Sequence, residues 1–274
     1  MAGTWSGPGY GVGPAWGFLG AMTVPMGVFA FRYWQDHPKL KWLMLGLIFV
    51  SFVSMVYSGS RGALIACVAW GLFYLRGHIV KFKYIVMIVP IAVMAFVFLP
   101  EQYKERYFSS FTASKGDSSK ASQVAADSAA SRLDGLLDGI AMANNNPIFG
   151  YGPSVSQWAR GDVSQKHVGL QMHNLYGQVM GDGGYLGFIV FLLLWLTCTR
   201  ALNTKKLEVD SADRMLQRFV YVKDAILGEI IIMLIYGFAA HSLYSIRWVW
   251  IYALTAGLAF SINQYQLELK KIEM

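Results

Sequence analysis

Apolar runs set the first limit on what this chain can fold into. Seven of them, roughly Pro14–Phe31, Lys41–Tyr57, Gly62–Leu75, Tyr84–Leu99, Gly184–Thr199, Ala225–Ala240 and Trp248–Ile262, are long or nearly long enough to cross a bilayer as helices, a crossing that takes about 20 residues. Only 14% of the 274 residues are charged, against about a quarter in a soluble domain, and mean hydropathy is +0.41. The chain therefore reads as all-α: a multi-pass transmembrane bundle of about seven spans, with one long outward loop carrying a short amphipathic helix. The third run is short, so its flanks contribute or it sits where the bilayer is thin.

Basic residues give the orientation. Arg32, Lys39 and Lys41 lie in one connection, and Arg76, Lys81 and Lys83 in another. Arg200, Lys205, Lys206, Arg214, Arg218 and Lys223 lie in a third, and Lys270 and Lys271 in the tail. If every run spans, all four groups fall on one side, and the positive-inside rule makes that side the cytoplasm. The net charge of +7 is thereby assigned to cytoplasmic connections and not to a nucleic-acid surface. The organisation follows as four spans in 1–99, an extracytoplasmic loop over 100–172, and three spans with a basic cytoplasmic connection in 173–274. Met1–Pro14 lacks the basic start of a cleavable signal peptide. Cys67 and Cys198 fall inside apolar runs and read as small buried residues, not as a disulfide or metal site.

The long loop carries seven basic and seven acidic residues, so it is not a basic patch. Its first half is rich in Ser and Ala and reads as mobile. From Arg132 onward Leu133, Leu136, Leu137 and Ile140 recur at helical spacing, predicting one apolar helix face. Asn146-Pro147 ends that helix, because proline disfavours a helical residue before it, and Gly150-Tyr151-Gly152-Pro153 forms a tight turn. On the other side, Met215, Leu216, Phe219 and Val220 suit either a short helix on the inner leaflet or a solvated loop.

Reaction-capable groups gather between Asn144 and Gly187, next to an apolar run. His173 stands at the outer water–membrane boundary, where a neutral imidazole can take a proton near pH 7; the competing reading is a helix cap or interface anchor. Gly184 and Gly187, three apart, would let a neighbouring span approach and fix His173 against it. Arg61, in Ser58-Gly59-Ser60-Arg61-Gly62 at the outer mouth of the third run, can hold a phosphate bidentately or merely reach for water. Arg132 opens the loop helix and alone reads as a solvated charge; Arg160, His241 and Arg247 also fall outside, and each taken singly reads as structural. Asp134 and Asp138 stand a helical turn apart and read as solvated carboxylates, since nothing around them has metal-ligand spacing. Glu229, the one acid inside a span, is placed near its cytoplasmic end and reads as reaching for the interface.

Ser60-Arg61-Gly62 after a span, Arg132 on a loop helix, Asn146-Pro147-x-x-Gly150-x-Gly152, and His173-Asn174-x9-Gly184-x-x-Gly187 occur in that order. Together they resemble the O-antigen ligase and polymerase superfamily, bacterial inner-membrane glycosyltransferases that use polyprenyl-diphosphate-linked glycans. Members are usually longer, with further spans ahead of the matched region, so the chain looks like the C-terminal part of one; Asp182 stands where glutamate is commoner. The resemblance implies transfer of a glycan to a hydroxyl of lipid A–core, a growing glycan or a protein, on the periplasmic face. On this reading His173 activates the acceptor, and Arg61 and Arg132 bind the diphosphate and stabilise charge on the leaving group. Asn174, Arg160 and Arg247 complete the candidate substrate contacts. No cofactor, metal or nucleic acid is implied; membrane lipids are. A glycan or lipid transporter and a truncated non-catalytic membrane protein stay open as alternatives.

Overall fold

The structure, a computed structural model, describes residues 13–76, 104, 120–164, 168–202, 213–240 and 242–273. The expected span Tyr84–Leu99, the N-terminal segment before Gly13, the Ser/Ala-rich half of the loop up to residue 119 and His241 lie outside the described residues. Among the described residues all regular elements are helices: α1 (Pro14–Tyr33), α2 (Pro38–Tyr57), α3 (Arg61–Arg76), α4 (Lys120–Asn145), the short α5 (Ser156–Ala159) running into a 3-10 turn (Arg160–Asp162), α6 (Leu175–Ala201), α7 (Arg214–Gly237) and α8 (Ile246–Glu273). Six of the seven expected runs fall on α1, α2, α3, α6, α7 and α8. Two described helices, α2 and α6, are long and apolar enough to cross a membrane, with mean hydropathies of 1.9 and 1.8. Both leave large apolar side chains exposed, among them Trp42, Leu43, Phe49 and Val50 on α2 and Ile189, Val190 and Leu193 on α6. Such surface suits hydrocarbon better than water.

The chain divides into two compact units, Met1–Ala130 with Ile231–Tyr236, and Ser131–Ile230 with Gly237–Met274. In the first, α1 packs along α2 and against α3. Prolines open both α1 and α2, where the missing N–H costs nothing and the fixed φ suits a first turn. Glycines on α1 allow the approach: a methyl at Gly20 would lie 2.6 Å from the Ser51 carbonyl oxygen, and one at Gly27 would lie 2.6 Å from Ile48 Cγ1. Small residues are how helices meet in lipid, where apolar burial offers little drive. Arg32 adds a polar tie from α1 to α3 through Nη1 and the Tyr74 hydroxyl, at 2.7 Å.

In the second unit α8 packs on α6. Trp195 of α6 lies 4.7 Å from Trp248 and 5.4 Å from Tyr252 between ring centroids, and Phe191 meets Trp248 edge-on at 6.0 Å. Trp248 is further fixed by donating Nε1–H to the Ser242 carbonyl at 2.6 Å. At the other end Asp213 caps α7, accepting from the N–H groups of Met215 and Leu216 at 2.8 and 3.2 Å. The Tyr265 hydroxyl donates to the same carboxylate at 2.7 Å. That hydrogen bond, ahead of the backbone ones, holds the Asp213 carboxyl below its ordinary range. Met215, Leu216, Phe219 and Val220 therefore belong to the first turns of a continuous helix, not to a separate surface helix or a solvated loop.

Two more sequence expectations change. α7 begins earlier than its apolar run, so Glu229 stands nearer the helix's C-terminal end, and it is buried. It is turned into the protein instead of reaching for an interface, with Arg247 near enough to act on it electrostatically. α4 begins at Lys120, so order starts inside the Ser/Ala-rich stretch and not at Arg132; of its apolar residues Leu133 and Leu137 are exposed, while Gly135, Gly139, Met142 and Ala143 are buried. The reason is distance. A methyl at Gly139 would overlap the backbone of Gly177, and one at Gly177 would overlap the Gly135 carbonyl, so α4 rests on α6 through its smallest residues.

Candidate functional site

The site region is built where a turn is spliced into a helix. α6 is interrupted at Gly184, whose φ of 64° and ψ of −165° are open only to glycine. A helical Tyr185 N–H would donate to the Gly181 carbonyl. Instead Tyr185 N–H donates to the Pro147 carbonyl at 2.8 Å, and Gly181 accepts from Tyr151 N–H at 2.9 Å. Gly152 N–H reaches the Asp182 carbonyl at 2.9 Å. The groups freed by the break are thus satisfied by the turn that follows α4, as backbone away from water must be. Helix α4 stops at Asn145, just before Asn146-Pro147, and Gly150 and Gly152 take positive φ, so both sequence signals mark real features. Gly184 does permit a close approach, but its neighbour is this turn: a methyl there would lie 2.7 Å from both Gly150 N and the Pro147 oxygen. The expectation that Gly184 and Gly187 pack against another span is corrected accordingly.

Asp182 fastens the splice. It is buried; its Oδ1 accepts from Ser156 N–H at 2.8 Å, and its Oδ2 accepts from Ser154 N–H at 3.2 Å and from the Tyr244 hydroxyl at 2.8 Å. The Tyr244 oxygen also accepts from Ser154 N–H at 2.9 Å. Burial, then the bond to Asp182, push the Tyr244 phenol up to about 12, so it remains a donor across ordinary pH. Sequence reasoning passed over Asp182 as a minor variation. The available signal was an acid flanked by glycines, Gly181-Asp182-Gly183-Gly184, at a membrane boundary, where an unpartnered carboxylate would be costly.

A second clamp is Arg160, 1% exposed. Its Nε and Nη2 donate to Asp138 Oδ2 at 2.9 and 2.5 Å, and its Nη1 donates to the carbonyls of Leu170 and Gln171, each at 3.2 Å. Arg160 therefore holds the loop to α4, and Asp138 is a half-buried ion-pair partner instead of a solvated acid. Asn174 is likewise internal. It caps α6, with Oδ1 accepting from Tyr176 and Gly177 N–H at 3.0 and 3.1 Å and Nδ2 donating to the Arg132 carbonyl at 3.3 Å. The cap is Asn174, not His173, which is exposed beside it.

The candidates therefore divide by location. Arg132 and His173 sit on neighbouring backbones in the second unit, joined through Asn174, and Arg247 lies in the first turn of α8 of that unit. Arg61 belongs to the first unit. It opens α3 after Gly59, at φ 62°, with the Ser60 hydroxyl accepting from Ala63 N–H at 3.4 Å as the cap. A helix N-terminus carries partial positive charge, so anions are favoured beside Arg61. Among the described residues no group of three His, Cys, Asp or Glu side chains is placed to hold a metal ion.

Comparison with known protein families matches residues 46–192 to O-antigen ligase. No curated protein matches significantly. The matched stretch runs from α2 into α6, through Arg61, Arg132, the spliced turn and His173. It covers more than half of the chain's 274 residues, and on that extent the chain belongs to the O-antigen ligase family.

Proposed function

We propose that this chain is a membrane glycosyltransferase, moving a glycan from a polyprenyl-diphosphate carrier to an acceptor hydroxyl at the outer face of the bacterial inner membrane. The observation that supports this most, beside the family itself, is the bond from Asn174 to the Arg132 carbonyl. It fastens the backbones of a candidate base and a candidate phosphate ligand to each other, the rigidity that positioned catalysis needs. In the reaction, His173 takes the proton of the acceptor hydroxyl as that oxygen attacks the anomeric carbon. The bond from that carbon to the diphosphate oxygen breaks, and the carrier leaves as the diphosphate. Arg61 and Arg132 meet its growing negative charge, and Arg247 contacts the substrate. Direct attack inverts the anomeric centre. The acceptor is lipid A–core, a growing glycan or a protein hydroxyl; the parts serve all three. The seven-span arrangement, with the loop outside and the basic connections inside, belongs to the same proposal.

His173→Ala tests it. Transfer should fall by about 10²- to 10⁴-fold, the usual range for a positioned proton acceptor, while binding of the lipid-diphosphate donor survives because the arginines provide it. Both are measured on one preparation whose parent transfers glycan. Full transfer in the variant would remove His173 as the base, and joint loss of binding and transfer would make it a structural residue.

A further inference from the structure

We propose that a cavity in the second unit binds an uncharged sugar ring of the glycan, a subsite separate from the diphosphate contacts; the assignment to glycan rests on the glycosyltransferase reading above. The cavity holds about 380 Å³ and is walled by Ser154, Ser156, Gln157, Gln171, Gln178 and Tyr244, among others. This volume lies at the small end of ligand pockets, which run from about 300 to 1,000 Å³. It suits one or two rings and not a long glycan.

The wall chemistry selects the ligand class. Every lining side chain among the described residues is uncharged, so none of them compensates a diphosphate or a uronate. Hydroxyls and primary amides both donate and accept, and each sugar hydroxyl does both as well. The wall is also held in place, which lowers the cost of binding. Tyr244 is fixed between Asp182 and Ser154 N–H, and Gln178 Oε1 accepts from Leu243 N–H at 3.2 Å. Gly181 lets two wall residues pack closely on α6, since a methyl there would come 3.0 Å from Ser156 Cβ and 3.2 Å from Met172 Cε. Met172 lines the cavity, and His173 follows it in the chain. A ring seated in this cavity lies beside the backbone that carries the proposed base, where the acceptor or the first donor sugar must be oriented.

The test uses the full chain in detergent and the double variant Gln157→Leu/Gln171→Leu, which keeps side-chain size and removes two amides. Saturation-transfer NMR is run with glucose, N-acetylglucosamine and lactose, with glucuronic acid as the charged comparison. Transfer kinetics and thermal midpoints are measured on the same preparations. Neutral sugars should give saturation transfer that glucuronic acid does not, and the double variant should abolish it at an unchanged midpoint. The KM for the glycan substrate should rise about tenfold or more, from two lost hydrogen bonds, while kcat holds. Binding of neutral sugars no better than glucuronic acid overturns the proposal, as does binding that persists in the double variant or a fall in kcat at constant KM. Sugar binding lost in the double variant, in a protein that never transfers glycan, keeps the sugar site and removes the glycosyltransferase reading. Normal transfer by the double variant does the reverse.

Discussion

Gly20 and Gly27 on α1 admit a neighbouring helix, while Gly184 on α6 admits a turn. In the first unit the two glycines let one helix approach another with no non-helical dihedral at either position. In the second unit Gly184 opens the ladder itself, and the loop turn takes up the groups that are released. The difference teaches what each arrangement demands of the sequence. A close helix pair needs only small residues at helical spacing. A spliced turn needs glycine at particular dihedrals, a buried acid to gather loose N–H groups, and a second chain segment in register.

Gly184→Val separates these demands most sharply. It adds strain at a dihedral pair that only glycine adopts and forces a branched side chain between Gly150 and Pro147. The combined cost should be on the order of 5 kcal/mol, seen as loss of the folded second unit by limited proteolysis. A variant with the parent's protease resistance would mean that the break is not built in.

Arg160→Met comes next. It leaves Asp138 charged, with its side chain 14% exposed, and should cost about 4 kcal/mol in thermal or denaturant unfolding. Adding Asp138→Leu should restore much of it, because the penalty comes from a half-buried charge that has lost its guanidinium and not from the missing pair. If the double variant is as unstable as the single one, the guanidinium's bonds to Leu170 and Gln171 matter more than the ion pair.

The smallest effect is expected at Gly27→Ala, in the first unit. Its new methyl meets only the Ile48 side chain, which can turn aside, and alanine favours the helix by about 1 kcal/mol over glycine. The thermal midpoint should move by no more than about 1 kcal/mol would cause. A loss as large as at Gly184 would erase the contrast between the two units.

These contrasts also explain what could be read in advance. Apolar runs foretell helices, because a run of that length has few other ways to satisfy its backbone; Asn146-Pro147 and the glycines after it foretell a stop and a turn by local sterics. The inward face of α4 was not legible, because periodicity marks the apolar side of a helix, not the side with least bulk. Here Gly135 and Gly139 set the approach while Leu133 and Leu137 look outward. Asp182, Arg160 and Asn174 were undervalued for a related reason. Part of what each holds is the backbone of another segment, the Ser154 and Ser156 N–H groups, the Leu170 and Gln171 carbonyls and the Arg132 carbonyl, which leave no trace in residue identity.

The neck formed by Arg160 has a consequence for how relatives can diverge. One side chain grips the carbonyls of Leu170 and Gln171 and, through Asp138, the loop helix, so the stretch between Arg160 and Leu170 leaves and returns at a fixed gate. Lengthening such an excursion costs only about 0.6 kcal/mol for each doubling, and nothing outside the gate need shift to accommodate it. That makes the stretch an exchangeable cassette, a place where length and sequence can change while the frame on either side of it stays intact.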